Sequence, residues 1–152
     1  MDTRRRIFLD TSALFAGIWS ESGGARLILR LGEAGALHIV ISQQVLSEIE
    51  DALRRKAPHL LPALARLLDR VQVEIGEPGS IERYNTCLDL AGQAGDARIL
   101  ADAWQAGASY LVSLNQKHIL DHPEYLQVLP FEIGTPGDFV QKFREMLERN
   151  SF

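Results

Sequence analysis

Short apolar runs and amphipathic stretches alternate along the chain with little between them. Runs of strand length occur at 6–9 (RIFL), 37–42 (LHIVIS), 71–75 (VQVEI), 110–113 (YLVS) and 128–133 (VLPFEI). Compact apolar runs bounded by polar residues read as buried strands. Between them, apolar positions recur at helical spacing over 12–19, 25–34, 43–56, 60–70, 80–92, 96–107 and 136–149. Strands that alternate with helices need crossover connections, so the pattern predicts a three-layer α/β/α fold around a mostly parallel five-stranded sheet. Gly23-Gly24, Pro78-Gly79 and Pro136-Gly137 read as turns rather than linkers, because apolar patterning resumes directly after each.

Composition narrows the class. A length of 152 residues is that of one domain with its own core, and the whole of 1–152 is expected to form it. Hydrophobic residues make up 46% and charged residues 24%, as in ordinary globular proteins. The single cysteine, Cys87, excludes a disulfide framework within the chain and a multi-cysteine zinc site. With no apolar stretch of membrane-spanning length and no secretory pattern in MDTRRRIFLD, a cytoplasmic location is expected. A net charge of -4 argues against a broad basic surface, though not against a local basic patch beside an acidic pocket.

Against this background a few polar residues stand out. The apolar run Ile7-Phe8-Leu9 stops at Asp10, followed at once by Thr11 and Ser12. In an open parallel sheet, ligands bind beyond the carboxyl ends of the strands, where Asp10 falls. Asp96 shares a helical stripe with Ile99, Leu100 and Ala103, whereas Asp102 lies on the opposite face and reads as a solvated charge. Asp10 and Asp96 each suit a helix N-cap or first turn. Two such acids at the mouth of one sheet also suit a shared cation. Along 43–56 the apolar stripe leaves Glu48 and Glu50 on its two flanks, and periodicity does not choose between them. Arg55 is spaced to pair with Glu48 or with Asp51, or to reach a phosphate. Past the strand at 110–113, Asn115 either caps the turn of Gln116 to Leu120 or lends its amide oxygen to a hard metal ion.

These motifs together resemble the PIN-domain nucleases. The resemblance runs through IFLDTSALF, SQQVLSEIEDAL, GDARILADAWQAGASYLVSLNQKHIL and TPGDFVQKF, in the family's order. It implies that Asp10 is the acid after the first strand, that Glu48 rather than Glu50 is the acid after the second, and that Asp96 opens the long alanine-rich helix. Ser113 and Asn115 stand where the family usually shows a hydroxyl and an aspartate, and Thr11 or Ser12 resembles the hydroxyl that orients ligands beside the first acid. Asn115 thus removes one negative charge from the cluster, which weakens the case for a second tightly held ion.

Clustered carboxylates repel unless an ion offsets them, and Mg²⁺ or Mn²⁺ accepts such oxygen ligands. The resemblance therefore implies a metal-dependent endoribonuclease with Asp10, Glu48, Asp96 and Asn115 as metal-binding and catalytic residues. Thr11, Ser12 and Ser113 are expected to support them. Phosphate contacts are expected from Arg55, Lys56, Lys117 or His118, with Arg4 to Arg6 as further candidates. PIN domains of this size resemble VapC-type toxins, which implies RNA as substrate, an antitoxin partner and a homodimer, with no membrane role.

Rival readings are weaker. A haloacid dehalogenase-like phosphatase needs a second Asp where Ser12 stands, and a phosphorelay receiver needs an early acidic pair and a late Lys in places this chain does not provide. The remaining alternative is a non-catalytic PIN-like module that binds RNA or protein, for which Asn115 speaks and the retained acids do not.

Overall fold

A computed structural model describes residues 2–150. Five strands form one sheet: β1 (Arg5–Leu9), β2 (Leu37–Ser42), β3 (Glu74–Gly76), β4 (Tyr110–Val112) and β5 (Glu132–Gly134). Their order is β3-β2-β1-β4-β5, and every neighbouring pair is parallel. The mostly parallel expectation is therefore met in full. Ile7, Phe8, Leu9, Ile39, Val40 and Ile41 are all buried. Such runs bury both faces of a strand, as a sheet covered by helices on either side requires.

The helices are α1 (Thr11–Trp19), α2 (Gly24–Glu33), α3 (Gln43–Lys56), α4 (Leu61–Val71), α5 (Ile81–Ala91), α6 (Ala94–Gln105), α7 (Tyr125–Val128) and α8 (Pro136–Arg149). They complete a three-layer α/β/α arrangement, with α2 and α6 both packed on β2 and α8 on β4 and β5. Among the described residues, no helix is long and apolar enough to cross a membrane.

Differences from the expected elements have local causes. The third strand begins at Glu74 rather than at residue 71, because α4 runs on through Val71 and ends on Gln72 in the left-handed region at φ 56°. The fifth shifts to Glu132–Gly134, since a short helix and Leu129, Pro130 and Phe131 occupy the preceding stretch. Pro136-Gly137 opens α8 instead of forming a separate turn: Thr135 accepts from the Asp138 N–H while the Asp138 carboxylate accepts from the Thr135 N–H. Proline suits this first helical position, where no N–H is needed.

The order of strands locates the site. From β1 the chain winds outward through β2 to β3, then returns to the other side of β1 as β4 and continues to β5. This reversal lies between β1 and β4, so a crevice opens beyond their carboxyl ends. Asp10 and Ser113 are the first residues past those ends.

Candidate functional site

Asp10 leaves β1 with its N–H donating to the Val112 carbonyl at 3.2 Å, then caps α1. The residue is 6% exposed. Oδ1 accepts from the Ala13 N–H at 2.9 Å and from the Ser12 hydroxyl at 2.6 Å, and Oδ2 accepts from the Ser113 hydroxyl. Both serines also tie down the strand end opposite: Ser12 accepts from the Leu114 N–H and Ser113 from the Asn115 N–H, each at 2.9 Å. No basic side chain among the described residues pairs with Asp10. Burial pushes its carboxyl above the ordinary range, against the downward pull first of Ser113, then of Ser12 and Ala13.

A cavity of about 510 Å³ lies over this acid. Glu48, Asp96 and Asn115 line it with Asp10, so the structure brings all four expected site residues to one opening. Glu48 reaches it from α3, where Oε2 accepts from the Thr11 hydroxyl and Oε1 from the Gln44 amide, both at 2.7 Å. Asp96 stands in the first turn of α6, which begins at Ala94, and its Oδ2 is 3.1 Å from Nδ1 of His118. Asn115 accepts from the His118 N–H at 3.2 Å and so caps the turn of Gln116–Leu120. Thr11 and Ser12 thus do different work: one fixes Glu48, the other Asp10.

The basic residues are sorted by the geometry. Gln44, Glu48, Ala52 and Lys56 form one row of α3 along the cavity wall, so Lys56 lines it and Arg55 does not. Asp51 pairs with Arg54 at 2.8 Å, which takes up the helix-surface partner suggested for Arg55. Lys117 lines no part of the cavity, and its carbonyl accepts from His122 Nε2 at 2.7 Å. His118 contributes through Asp96 rather than from the wall. Arg4 and Arg6 lie at the opposite end of β1, where Arg4 pairs with Asp2 and Arg6 with Glu74. Five residues of strand, about 16 Å, separate that end from Asp10.

One sequence expectation is overturned outside the cavity. Asp102 is 3% exposed, not solvated: its Oδ1 accepts from the Gly79 N–H at 2.8 Å and from Arg98 at 3.4 Å. Helix α6 is covered on the face that carries Asp102 as well as on its sheet side, because α5 and the Pro78-Gly79 turn close over it. Sequence reasoning also passed over Gln44 and Phe15, which line the cavity. Gln44 was legible as the residue one turn before Glu48.

The donor set fits a hard cation: three carboxylates and an amide oxygen, with no sulfur among them. Among the described residues, no three His, Cys, Asp or Glu side chains yet converge closely enough to hold one. Glu48 is engaged by Thr11 of α1 and Gln44 of its own helix, and Asp96 by His118 of the Gln116–Leu120 turn.

Residues 6–117 match the family model of the PIN domain. The chain belongs to this family, whose members are in general nucleases. The fold is similar to that of VapBC2 from Rickettsia felis, in a crystal structure bound to a DNA fragment from the promoter, with a TM-score of 0.62 and 20% identity over 86% of this chain and 98% of that one. PAE2754 from Pyrobaculum aerophilum is also similar, with a TM-score of 0.56 and 18% identity over 81% of this chain and 89% of the other. No curated protein matches the sequence significantly.

Proposed function

We propose that the protein is a metal-dependent endoribonuclease that hydrolyses phosphodiester bonds at the cavity over Asp10. The observation that carries this reading is a carboxylate buried at the switch point of the sheet, without a cationic partner, among three further oxygen donors. A binding scaffold for phosphates gains nothing from such an acid, whereas a hard cation offsets it. Asp10, Glu48, Asp96 and Asn115 would hold Mg²⁺ or Mn²⁺. When bound, the ion makes a water more acidic and offsets charge on the leaving oxygen.

The residues around the acids give each of them a defined starting orientation at the cavity. Ser12 and Ser113 orient the two oxygens of Asp10, Thr11 and Gln44 fix those of Glu48, and His118 positions Asp96. Lys56 supplies positive charge on the same wall, suited to an RNA phosphate. The likeness to the VapBC2 complex supports a toxin role with an antitoxin protein as partner, and we extend the proposal to a homodimer in the cytoplasm.

The test is incubation of the purified protein with mixed single-stranded and structured RNA plus Mg²⁺ or Mn²⁺, beside Asp10→Asn and a chelator control. Cleavage lost with both controls is the expected result. One observation favours a second reading, a non-catalytic PIN-like module that binds RNA or protein: Glu48, Asp96 and Asn115 already have local partners. Absence of both cleavage and metal binding would select that module.

A further inference from the structure

Helix α1 carries two aromatic rings along a line leading out of the cavity. Phe15 lines the cavity wall beside Asp10. Trp19, one turn further on, stacks against Phe15 with ring centroids 5.7 Å apart and planes inclined by 13°. The indole is 57% exposed, an unusual cost for the largest aromatic side chain unless its free face has a use. Lys56 places its ammonium 5.3 Å from the centroid of the Phe15 ring. Among the described residues lining the cavity it is the only Lys or Arg, and no carboxylate pairs with it.

We propose that the Trp19 indole, backed by the Phe15 ring, is a platform for an unpaired base of the RNA strand, with Lys56 holding an adjoining phosphate. This rests on the ribonuclease reading for its biological sense but not for its test. Aromatic faces beside a cation are the means by which single strands are bound without a sequence code, because every base offers a flat face. Duplex bases are already stacked on one another, so the platform selects strand segments that are open. Along the axis of α1 the backbone of Phe15 and of Trp19 rises about 7.5 Å and 13.5 Å beyond Asp10, the length of roughly two to four steps of a stacked strand. The platform therefore grips the strand next to the bond over the acids. Trp19 is followed by Ser20, Glu21 and Ser22, of which the last two are exposed, so the free indole face adjoins a polar rim rather than a broad apolar groove that would seat a protein helix.

Emission from Trp19 reads the proposal directly. In the full chain carrying Trp104→Phe, Trp19 is the only indole. A short oligoadenylate titrated in EDTA at low salt, where metal-dependent cleavage is suppressed, is expected to quench it saturably. Followed by the anisotropy of a labelled strand, Trp19→Ala is expected to weaken binding about tenfold, while Trp19→Phe stays within about threefold. Lys56→Gln is expected to weaken binding and reduce the salt dependence by about one charge. The same strand annealed to its complement should leave the emission unchanged.

Equal affinity of Trp19→Ala and the parent overturns the platform, as does equal quenching by the duplex. An emission shift that follows protein concentration instead of RNA overturns it too, since a second copy then covers the ring. Strand binding through Trp19 without metal-dependent cleavage leaves the platform and removes the nuclease. Asp10-dependent cleavage with unchanged KM in Trp19→Ala does the reverse.

Discussion

Asp10→Asn removes a buried charge while keeping the shape and one acceptor of the side chain, so its effects on stability and on metal response should run in opposite directions. The carboxylate accepts from three donors, Ser12, Ala13 and Ser113. The two bonds to Oδ1 each lose about 1 kcal/mol of charge assistance when the acceptor becomes an amide oxygen, and at the Oδ2 position the Ser113 hydroxyl turns to accept from the amide NH2, at a similar cost. Against this stands a desolvation penalty of several kcal/mol for an ion with no cationic partner. The balance favours Asn by about 1–2 kcal/mol in metal-free protein, which at about 2–4 °C per kcal/mol raises Tm by about 2–8 °C. Added Mg²⁺ at about one hundred times its Kd stabilises the wild type by about 2.7 kcal/mol, and the Asn variant hardly at all. The order of melting temperatures therefore inverts between chelator and Mg²⁺. Thermal unfolding followed by circular dichroism under both conditions decides it. A lower Tm for Asn in chelator, or equal Mg²⁺ shifts in both proteins, would refute the reasoning.

Three further outcomes are expected. Asp102→Ala leaves the Gly79 N–H without its acceptor and Arg98 with only the Gly79 carbonyl, and should cost about 1–3 kcal/mol in urea unfolding, whereas Asp102→Asn keeps the acceptor and should cost less than half as much. Glu74 is held below its ordinary value of 4.5, first by the Arg6 guanidinium and, after a smaller opposing effect of burial, by His38, so the stabilisation it gives is fully present above pH 4.5 and is lost as pH falls through the lowered value. The Tm gap between wild type and Glu74→Gln should accordingly close between neutral pH and pH values well below 4.5, its size limited to about 1 kcal/mol by solvent exposure. Burial lifts the Cys87 thiol to about 11, so at pH near 8 a thiol reagent should label the native protein only as fast as it opens, with rates that climb in denaturant.

The fold was legible because both of its signals are periodic. Apolar runs buried on two faces and helices buried on one leave different traces, and the stretches 37–42, 43–56 and 136–149 have the boundaries expected from them. Misplaced edges arose where a run of apolar residues served two elements, as Val71 does at the end of α4 rather than in β3. Of the four acids and amides now found around one cavity, Asp10 was visible as a carboxylate ending a buried strand. Glu48 was not separable from Glu50 by periodicity, because each borders the apolar stripe; the tertiary contact with Thr11 on α1 distinguishes it. Asp102 was misjudged for a related reason. A helical stripe reports the face toward the sheet, and a second helix lying on the other face leaves no trace in the spacing of α6 itself.

The capping and metal-binding accounts of Asp10 share one geometry rather than compete for the residue. As a cap, it directs Oδ1 to the Ala13 N–H, and this fixes the plane of the carboxylate relative to α1. Ser12 and Ser113 then link that plane to the end of β4 through the Leu114 and Asn115 N–H groups. The position of the acid is thus determined by two strand ends and a helix start at once, each held by the packing of the central sheet. Asn115 follows the same logic: its amide oxygen caps a turn whose His118 reaches back to Asp96. Contacts that look purely structural one at a time thus fix oxygens of Asp10, Asp96 and Asn115 around a single opening, and a cation drawing Glu48 and Asp96 inward has only the Thr11, Gln44 and His118 contacts to exchange.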